Sequence, residues 1–213
     1  MRIGILGGTF NPIHRVHLDI ARAALDQLKL DRVIFVPAAI PPHKRDKTDI
    51  VGPEHRLRMT ELAVADLPGA EVSDIEIRRQ GPSYTVDTLR AFKEAFGPES
   101  RLFFIMGADQ VMELPTWHEV EAIARLCQIV PVARPGYDLE NLQALRGRLS
   151  DQLVHSLGEN VLSFQPRDVS STEIRRRLRR GQTVSGELPP QVENYIRRHQ
   201  LYRDRAGRRE DGA

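Results

Sequence analysis

The chain has 213 residues, of which 40% are hydrophobic and 28% charged, and its formal net charge is +2. This length and composition fit one globular domain with its own core and exclude a chain that is disordered throughout. The single cysteine, Cys127, excludes an intrachain disulfide framework and a multi-thiolate zinc site. The sequence has neither a membrane-length apolar run nor a signal-peptide pattern, so we expect a cytoplasmic protein.

The predicted elements alternate between strands and helices. Short apolar runs predict strands at 2–6, 32–36, 71–78, 102–106, 128–132 and 161–164. Apolar residues at helical spacing, together with start signals, predict helices at 16–28, 53–66, 84–96, 119–126, 172–180 and 190–199. Pro131 predicts that the fifth strand is an edge or carries a bulge. Strands separated by helices indicate an α/β fold with a mostly parallel sheet, and such sheets bind ligands beyond the carboxyl ends of their strands.

Basic charge is concentrated in the last quarter of the chain. Residues 165–213 contain twelve arginines, no lysine and seven acidic residues. Such a segment suits anionic ligands, either phosphates or nucleic acid, although composition alone favours the alternative of a solvated helical face with a frayed tail. Few aromatic residues accompany the arginines, which disfavours nucleic acid. We expect one domain over residues 1–203, with a helical C-terminal part from about 165 and a disordered tail at 204–213.

The loop after the first predicted strand is the first candidate site. It reads GGTFNPIHRVH over residues 7–17. Its glycines allow a ligand to approach the backbone closely, and free amides at the start of the following helix attract phosphate. His14 and His17 in the same loop can stabilise the negative charge that develops on a phosphate under attack. Metal ligation and a purely structural role are the alternatives for this pair, although no third metal ligand lies nearby in the sequence.

A second candidate phosphate site precedes a late helix and reads VSSTEIR over residues 169–175. Ser170, Ser171 and Thr172 can cap this helix, and Arg175 follows one turn later. Hydroxyl groups, open amides and a guanidinium together suit an oligophosphate. A plain helix start is the alternative, and the motif alone does not decide between the two.

Together these segments resemble the HxGH and ISSTxIR-like motifs of the nucleotidyltransferase superfamily of adenylyl- and cytidylyltransferases. Further segments are similar, in order and spacing, to bacterial nicotinate-nucleotide adenylyltransferases: PPHK at 41–44, GPSYTVDTL at 81–89, MGAD at 106–109, Trp117, and RPGY at 134–137. The resemblance extends from residue 1 to about 203. It implies a Rossmann-like α/β domain with a small helical C-terminal part. It also implies adenylyl transfer from ATP to nicotinate mononucleotide in NAD biosynthesis, giving deamido-NAD and pyrophosphate.

The resemblance also implies roles for individual residues. The catalytic residues would be His14, His17 and Lys44. The ATP-binding residues would be Gly8, Thr9, Phe10, Gly107, Asp109, Ser170, Ser171, Thr172 and Arg175. The nicotinate-nucleotide-binding residues would be Ser83, Tyr84, Thr85, Trp117, His118 and Arg134. Trp117 would stack on the pyridine ring, and backbone amides near Tyr84 would bind the carboxylate. A packing role for Trp117 and a plain helix cap at 83–85 are the alternatives.

We expect Mg²⁺ to arrive on ATP, and we name no protein ligand for the metal. We expect no nucleic-acid or membrane partner, and the sequence leaves open whether the chain forms a homo-oligomer.

Two positions depart from the family pattern. Asn11 stands where the family usually has Asp, and Val16 stands where it usually has Gly. The valine adds bulk where adenosine would approach the helix start, so the sequence leaves its effect on ATP binding open. Two other functions also stay open. One is transfer to nicotinamide mononucleotide or another phosphate acceptor, and the other is nucleotide binding without catalysis.

Overall fold

The computed structural model describes residues 1–40, 49–79, 81–132, 140–165 and 169–203, apart from the side chains at 109, 140 and 141. Lys44, Arg134 and the predicted tail at 204–213 lie outside the described residues. Within them, one parallel sheet has the strand order β3-β2-β1-β4-β5. Its strands are β1 (Arg2–Gly8), β2 (Arg32–Pro37), β3 (Ala70–Val72), β4 (Arg101–Gly107) and β5 (Gln128–Val132). This sheet confirms the predicted α/β class.

Helices flank the sheet. They are α1 (Arg15–Gln27), α2 (Pro53–Val64), α3 (Ile75–Arg78), α4 (Thr85–Phe96), α5 (Ala108–Val111), α6 (Val120–Leu126), α7 (Glu140–Gln143), α8 (Asp151–Glu159), α9 (Ser171–Arg179) and α10 (Pro190–Arg198). A 3₁₀ helix covers Leu114–Thr116. None of the described helices has the length and apolar character needed to cross a membrane.

Side chains that alternate along the strands build two apolar clusters, one on each face of the sheet. On β1 and β2, Leu6 and Phe35 belong to the cluster that includes α1, α2 and α10, whereas Ile5 and Ile34 belong to the cluster that includes α4, α6 and α8. Successive strand residues point to opposite faces, so a parallel strand covered on both sides must be apolar throughout. The uninterrupted apolar runs in the sequence therefore correspond to strands buried on both faces.

The strand order also places the candidate site. From β1 the chain proceeds to β2 and β3 on one side, and it returns to place β4 and β5 on the other. The direction of the connections therefore reverses between β1 and β4. In open parallel sheets, ligands bind beyond the carboxyl ends of the strands at such a reversal. Here those ends carry Gly8 and Gly107.

Two predicted strands are wrong in part. The segment 71–78 forms a strand only as part of Ala70–Val72, and Ile75–Arg78 is a short helix. A short apolar run does not distinguish a strand from a buried helical turn, and here the helical turn is the outcome. The segment 161–164 contributes only one bridge, between Leu162 and Val132. As Pro131 predicts, β5 lies at the end of the sheet.

Helix α8 is not among the predicted elements. Its signals are present in the sequence, because Ser150 caps the helix by accepting a hydrogen bond from the Leu153 amide and the buried Leu153, Val154 and Leu157 follow a helical spacing.

Candidate active site

A cavity of about 470 Å³ opens at the carboxyl ends of β1, β2 and β4. Its lining includes seven predicted site residues: Gly8, Thr9, Ser83, Tyr84, Thr85, Trp117 and His118. The same wall contains Glu76, Thr88, Gln110 and Glu113, which the sequence analysis did not single out. The cavity therefore joins the glycine loop after β1 to the first turn of α4 and the segment around Trp117.

Gly8 is required by the aromatic ring that lies against it. A Cβ atom at this position would lie 2.9 Å from Cε1 of Phe10. Phe10 itself is 3% exposed, and its ring contacts Phe35 at 5.9 Å and the edge of His17 at 5.1 Å between centroids. Gly8 thus lets the loop fold closely over Phe10, whose ring contacts the His17 ring.

His14 and His17 lie side by side at the start of α1, with ring centroids 3.8 Å apart. His14 is buried and directly precedes the helix, and His17 is in its first turn. The backbone N–H of His14 donates to Nδ1 of His17 at 3.1 Å. This bond assigns the proton of neutral His17 to Nε2, so Nε2 is the donor nitrogen of that ring. The predicted pairing of the two histidines at a helix start is therefore present, although neither residue lines the cavity.

The second motif packs directly onto the first. Ser170 caps α9 by accepting a hydrogen bond from the Glu173 amide, as the sequence predicts. The hydroxyl of Ser171 donates to the carbonyl of Pro12 at 2.9 Å, and Nη1 of Arg175 donates to the carbonyl of Asn11 at 2.9 Å. Ser170 and Thr172 are exposed at the open end of the helix. The two predicted phosphate-binding segments therefore meet, although about 160 residues separate them in the sequence.

Asp49 is an unpredicted member of this contact. Its Oδ2 accepts hydrogen bonds from Nε and Nη2 of Arg175, and Arg179 lies 3.4 Å away. Partial burial opposes ionisation, but the hydrogen bond from Arg175 and the charges of Arg175 and Arg179 hold the pKa of Asp49 below its ordinary value. In this structure Arg175 is thus already paired with a carboxylate.

Arg56 is a second group that the sequence analysis missed. Its side chain is 1% exposed, and its guanidinium donates to four backbone carbonyls. These belong to Val51 at 3.0 Å, Thr9 at 2.9 Å, Ala38 at 2.5 Å and Ala39 at 3.0 Å. Burial lowers the pKa of Arg56 below its ordinary value. Four of the five N–H donors of one guanidinium thus join the loop after β1, the loop after β2 and the segment before α2.

Aromatic groups form the other end of the cavity. The half-buried Trp117 packs its ring edge to face with Phe104, with centroids 5.8 Å apart. Its Nε1 atom is buried and has no hydrogen-bond acceptor among the described residues. The rings of Tyr84 and His118 lie 4.5 Å apart between centroids. This end therefore offers aromatic surface to a flat ligand, with the start of α4 beside it.

The structure also accounts for the two departures from the family pattern. The amide of Asn11 donates to the carbonyl of Asp49, and its Oδ1 accepts from the Val51 amide and the Tyr202 hydroxyl. Asn11 thus acts as donor and acceptor at once, which an ionised Asp could not do. Val16 is 5% exposed and belongs to the apolar cluster around α1. Its side chain is therefore packed in the core.

The remaining predicted residues are placed only in part. Gly107 ends β4 and donates its N–H to Oε1 of Gln110, and residue 109 follows in α5. Lys44 and Arg134 lie outside the described residues. In the described part of the chain, no three His, Cys, Asp or Glu side chains form a group that could hold a metal ion.

Comparison with known proteins places this arrangement in a family. Residues 5–177 match the cytidylyltransferase-like family. A protein of Thermus thermophilus named "Probable nicotinate-nucleotide adenylyltransferase" is 47% identical, over 95% of this chain and 100% of its own length. A protein of the same name from Citrifermentans bemidjiense is 45% identical, over 96% and 99%.

The fold is also similar to that of Plasmodium falciparum nicotinic acid mononucleotide adenylyltransferase complexed with NaAD, at a TM-score of 0.72 and 18% identity over 94% of this chain and 97% of that one. The extent and identity of the sequence matches exceed what a shared fold alone would give. The chain therefore belongs to the cytidylyltransferase-like family and, within it, to the nicotinate-nucleotide adenylyltransferases.

Proposed function

We propose that the chain transfers the adenylyl group of ATP to nicotinate mononucleotide, giving deamido-NAD and pyrophosphate in NAD biosynthesis. One observation carries this assignment beyond the family. The loop between β1 and α1 bonds to the α9 motif through the carbonyls of Asn11 and Pro12, directly before the histidine pair. The same loop lines the cavity through Gly8 and Thr9. This contact supports a proposed triphosphate site next to a proposed pocket for a flat nucleotide base.

In the proposed reaction, a phosphate oxygen of the mononucleotide attacks the α-phosphorus of ATP. A new P–O bond forms, the bond from the α-phosphorus to the bridging oxygen breaks, and pyrophosphate leaves with the electron pair. No protein nucleophile takes part, so catalysis rests on positioning and charge stabilisation. His14 and His17 would face the phosphates, and the Nε2–H of His17 is suited to donate to the developing charge.

The β- and γ-phosphates would lie at the N-terminus of α9. Ser170 and Thr172 are exposed there, Ser171 is half-buried, and the helix dipole favours negative charge. Arg175 would take part by sharing its guanidinium between Asp49 and a phosphate, or by exchanging one for the other. The backbone of Gly8, Thr9 and Phe10 would complete the cradle, and Gly107 and Asp109 would lie by the adenosine. We retain Lys44 as a proposed contact to the reacting phosphates.

The nicotinate ring would occupy the aromatic end of the cavity against Trp117. Its carboxylate would accept hydrogen bonds from backbone amides around Tyr84, Thr85 and His118, while Ser83 and Arg134 complete the proposed set. The amides of Thr85 and Val86 support this role, because they open α4 and have no hydrogen-bond acceptor among the described residues. Free amides at a helix start bind anions.

We propose Mg²⁺ as the cation that accompanies ATP, because Mg²⁺ keeps much of its water and binds substrate phosphates. It would neutralise charge on the triphosphate, and we assign it no protein ligand. We also propose a cytoplasmic location. A chain whose single cysteine is buried and cannot form an intrachain disulfide suits a reducing compartment.

The test is pyrophosphate release with ATP and Mg²⁺, offered nicotinate mononucleotide and nicotinamide mononucleotide in parallel. Wild type is compared with His17→Ala and with His155→Ala, a matched control because His155 is exposed on α8. We expect the acid to be strongly preferred, His17→Ala to lose most of the activity and His155→Ala to retain it. Equal use of both mononucleotides would contradict the proposed carboxylate site. ATP binding without pyrophosphate release would indicate a non-catalytic nucleotide-binding protein.

A further inference from the structure

Glu76 is a buried carboxyl group in the wall of the cavity for which the proposed reaction has no use. It belongs to α3 and is only 8% exposed. Burial raises the pKa of this carboxyl group, partly offset by hydrogen bonds from Thr88 and Ser83 and by the charge of Arg79. A buried carboxyl group is costly to a fold unless its hydrogen bonds are made, so its partners are informative.

Glu76 is bonded to the first turn of α4. Thr88 Oγ1 donates to Oε1 of Glu76 at 2.8 Å, and the hydroxyl of Ser83, which lines the same cavity wall, stabilises the carboxylate to a smaller extent. The Ser83 oxygen already accepts a hydrogen bond from the Ala39 amide at 3.0 Å, and Thr88 Oγ1 accepts from Arg79 at 3.3 Å. Thr88 Oγ1 also lies 3.5 Å from the Tyr84 carbonyl oxygen, and the shorter contact to Glu76 takes its hydrogen.

This arrangement holds the segment that the proposed function assigns to the nicotinate carboxylate. Ser83 precedes Tyr84 and Thr85, and Thr88 lies one turn into α4. Oε1 of Glu76 accepts the bond from Thr88, so it fixes the Thr88 hydroxyl as a donor towards itself. Glu76 therefore holds the end of the first turn of α4, while the amides of Thr85 and Val86 stay available.

We propose that Glu76 is a positioning residue for the turn formed by Ser83, Tyr84 and Thr85, and that it controls the affinity for nicotinate mononucleotide rather than for ATP. The inference rests on the proposed function. It follows that disturbing Glu76 moves the amides relative to Trp117, which weakens binding of a ligand that must reach both. The triphosphate contacts at α1 and α9 involve neither Ser83 nor Thr88 and are left in place.

The first experiment compares Glu76→Gln with Glu94→Gln, the same change at an exposed position of α4. Glutamine keeps the shape but removes the charge and replaces one acceptor oxygen with an NH₂ donor, so the hydrogen bond from Thr88 loses its charged acceptor. We expect the KM for nicotinate mononucleotide to rise about tenfold and the KM for ATP to change less than about twofold, as the loss of one hydrogen bond to a charged group implies. The dissociation constant, read from Trp117 fluorescence, should rise in parallel.

Thr88 provides the second pair of variants. They test the proposed role of Glu76 even if Glu76→Gln does not fold. Thr88→Val removes the hydroxyl at constant shape, and Thr88→Ser keeps it. We expect Thr88→Val to raise the KM for nicotinate mononucleotide selectively and Thr88→Ser to remain close to wild type. Combined with Glu76→Gln, Thr88→Val should add less than its separate effect, because both act on the bond between Thr88 and Glu76.

The proposal is overturned if the KM for ATP rises as much as that for the mononucleotide, if Glu76→Gln behaves like Glu94→Gln, or if Thr88→Val leaves both constants unchanged. The wild-type measurement separates this outcome from failure of the proposed function. A wild type that forms no deamido-NAD contradicts the function itself, whereas an active wild type with unaffected variants contradicts only the role of Glu76.

Discussion

Oδ2 of Asp49 accepts two hydrogen bonds from Arg175, at 2.9 Å from Nε and 2.8 Å from Nη2. The Arg175 side chain is only 12% exposed, and its Nη1 also donates to the Asn11 carbonyl. This pair joins the segment before α2 to α9. Because the same guanidinium is proposed to bind ATP phosphates, Asp49 links the stability of the C-terminal part to nucleotide binding.

We predict that Asp49→Asn lowers the free energy of unfolding by about 1.5–3 kcal/mol at neutral pH, the usual loss for a hydrogen bond to a charged group. Asp26→Asn is the matched control, because Asp26 pairs with Lys29 on the surface and should lose less than about 1 kcal/mol. Urea denaturation of both variants measures the difference. Equal losses in the two variants would show that Asp49 contributes no more than a surface charge.

The same pair predicts a pH dependence. The pKa of Asp49 is lower in the folded chain than its ordinary value of 3.8. A lowered folded-state pKa contributes stability above the unfolded value, and that contribution is lost as the pH falls through the folded value. The difference in the free energy of unfolding between wild type and Asp49→Asn should thus be constant near neutral pH. It should become smaller as the pH falls below 3.8. A difference that widens on acidification would contradict this assignment.

Val16→Gly should reduce stability without improving ATP binding. The valine side chain is packed in the core, so its removal loses buried apolar contacts and adds the flexibility of a helical glycine, together about 2–3 kcal/mol. Val16→Ala separates the loss of buried contacts from the glycine effect, because alanine removes the two buried methyl groups but favours the helix. Thermal unfolding and the KM for ATP are measured on both. A clear fall in the KM for ATP in Val16→Gly would instead show that the valine obstructs the nucleotide.

The sequence predicted the fold where a pattern has a single structural reading. Continuous apolar runs such as 102–106 can only be doubly covered strands when helix-sized segments alternate with them, and β4 confirms this. The prediction failed at 71–78, where a short apolar run suits both a strand and a helical turn. In that segment Glu76 is buried and accepts a hydrogen bond from Thr88 of α4, and such long-range contacts leave no periodic signal in the sequence.

The candidate site was predictable only for residues that belong to recognisable motifs. The glycine loop, the histidine pair and Trp117 were found in this way. The sequence did not predict three buried or partly buried charged residues: Asp49, Arg56 and Glu76. A charged residue in a sequence is normally interpreted as exposed. Only the fold shows that Arg56 is 1% exposed and meets carbonyls from three separate segments.

Trp117 is the only tryptophan in the chain, so intrinsic fluorescence reports on the cavity directly. We predict that nicotinate mononucleotide quenches this signal in wild type. Trp117→Phe should raise the KM for the mononucleotide about threefold to tenfold, and Trp117→Ala about tenfold to a hundredfold, as loss of aromatic stacking implies. Steady-state kinetics measure both variants. An unchanged KM in Trp117→Ala would assign the ring to packing against Phe104 alone.

We predict that Arg56→Lys lowers the free energy of unfolding and raises the KM values. A lysine cannot replace the N–H donors of the guanidinium, which bind carbonyls in three segments. Its ammonium has three donors at one point, so at least one of the carbonyls of Val51, Thr9, Ala38 and Ala39 loses its partner. Each buried carbonyl group that is left without a hydrogen-bond donor lowers the free energy of unfolding by about 1–3 kcal/mol.

Because Thr9 lies in the proposed ATP cradle and Ala39 bonds to Ser83, we expect the KM values for both substrates to rise. Arg58→Lys is the matched control on the same helix, where an exposed arginine pairs with Glu61 and should tolerate the change. Urea denaturation and kinetics below the unfolding transition measure both effects. A stable Arg56→Lys variant with wild-type KM values would show that the three segments keep their positions without the guanidinium.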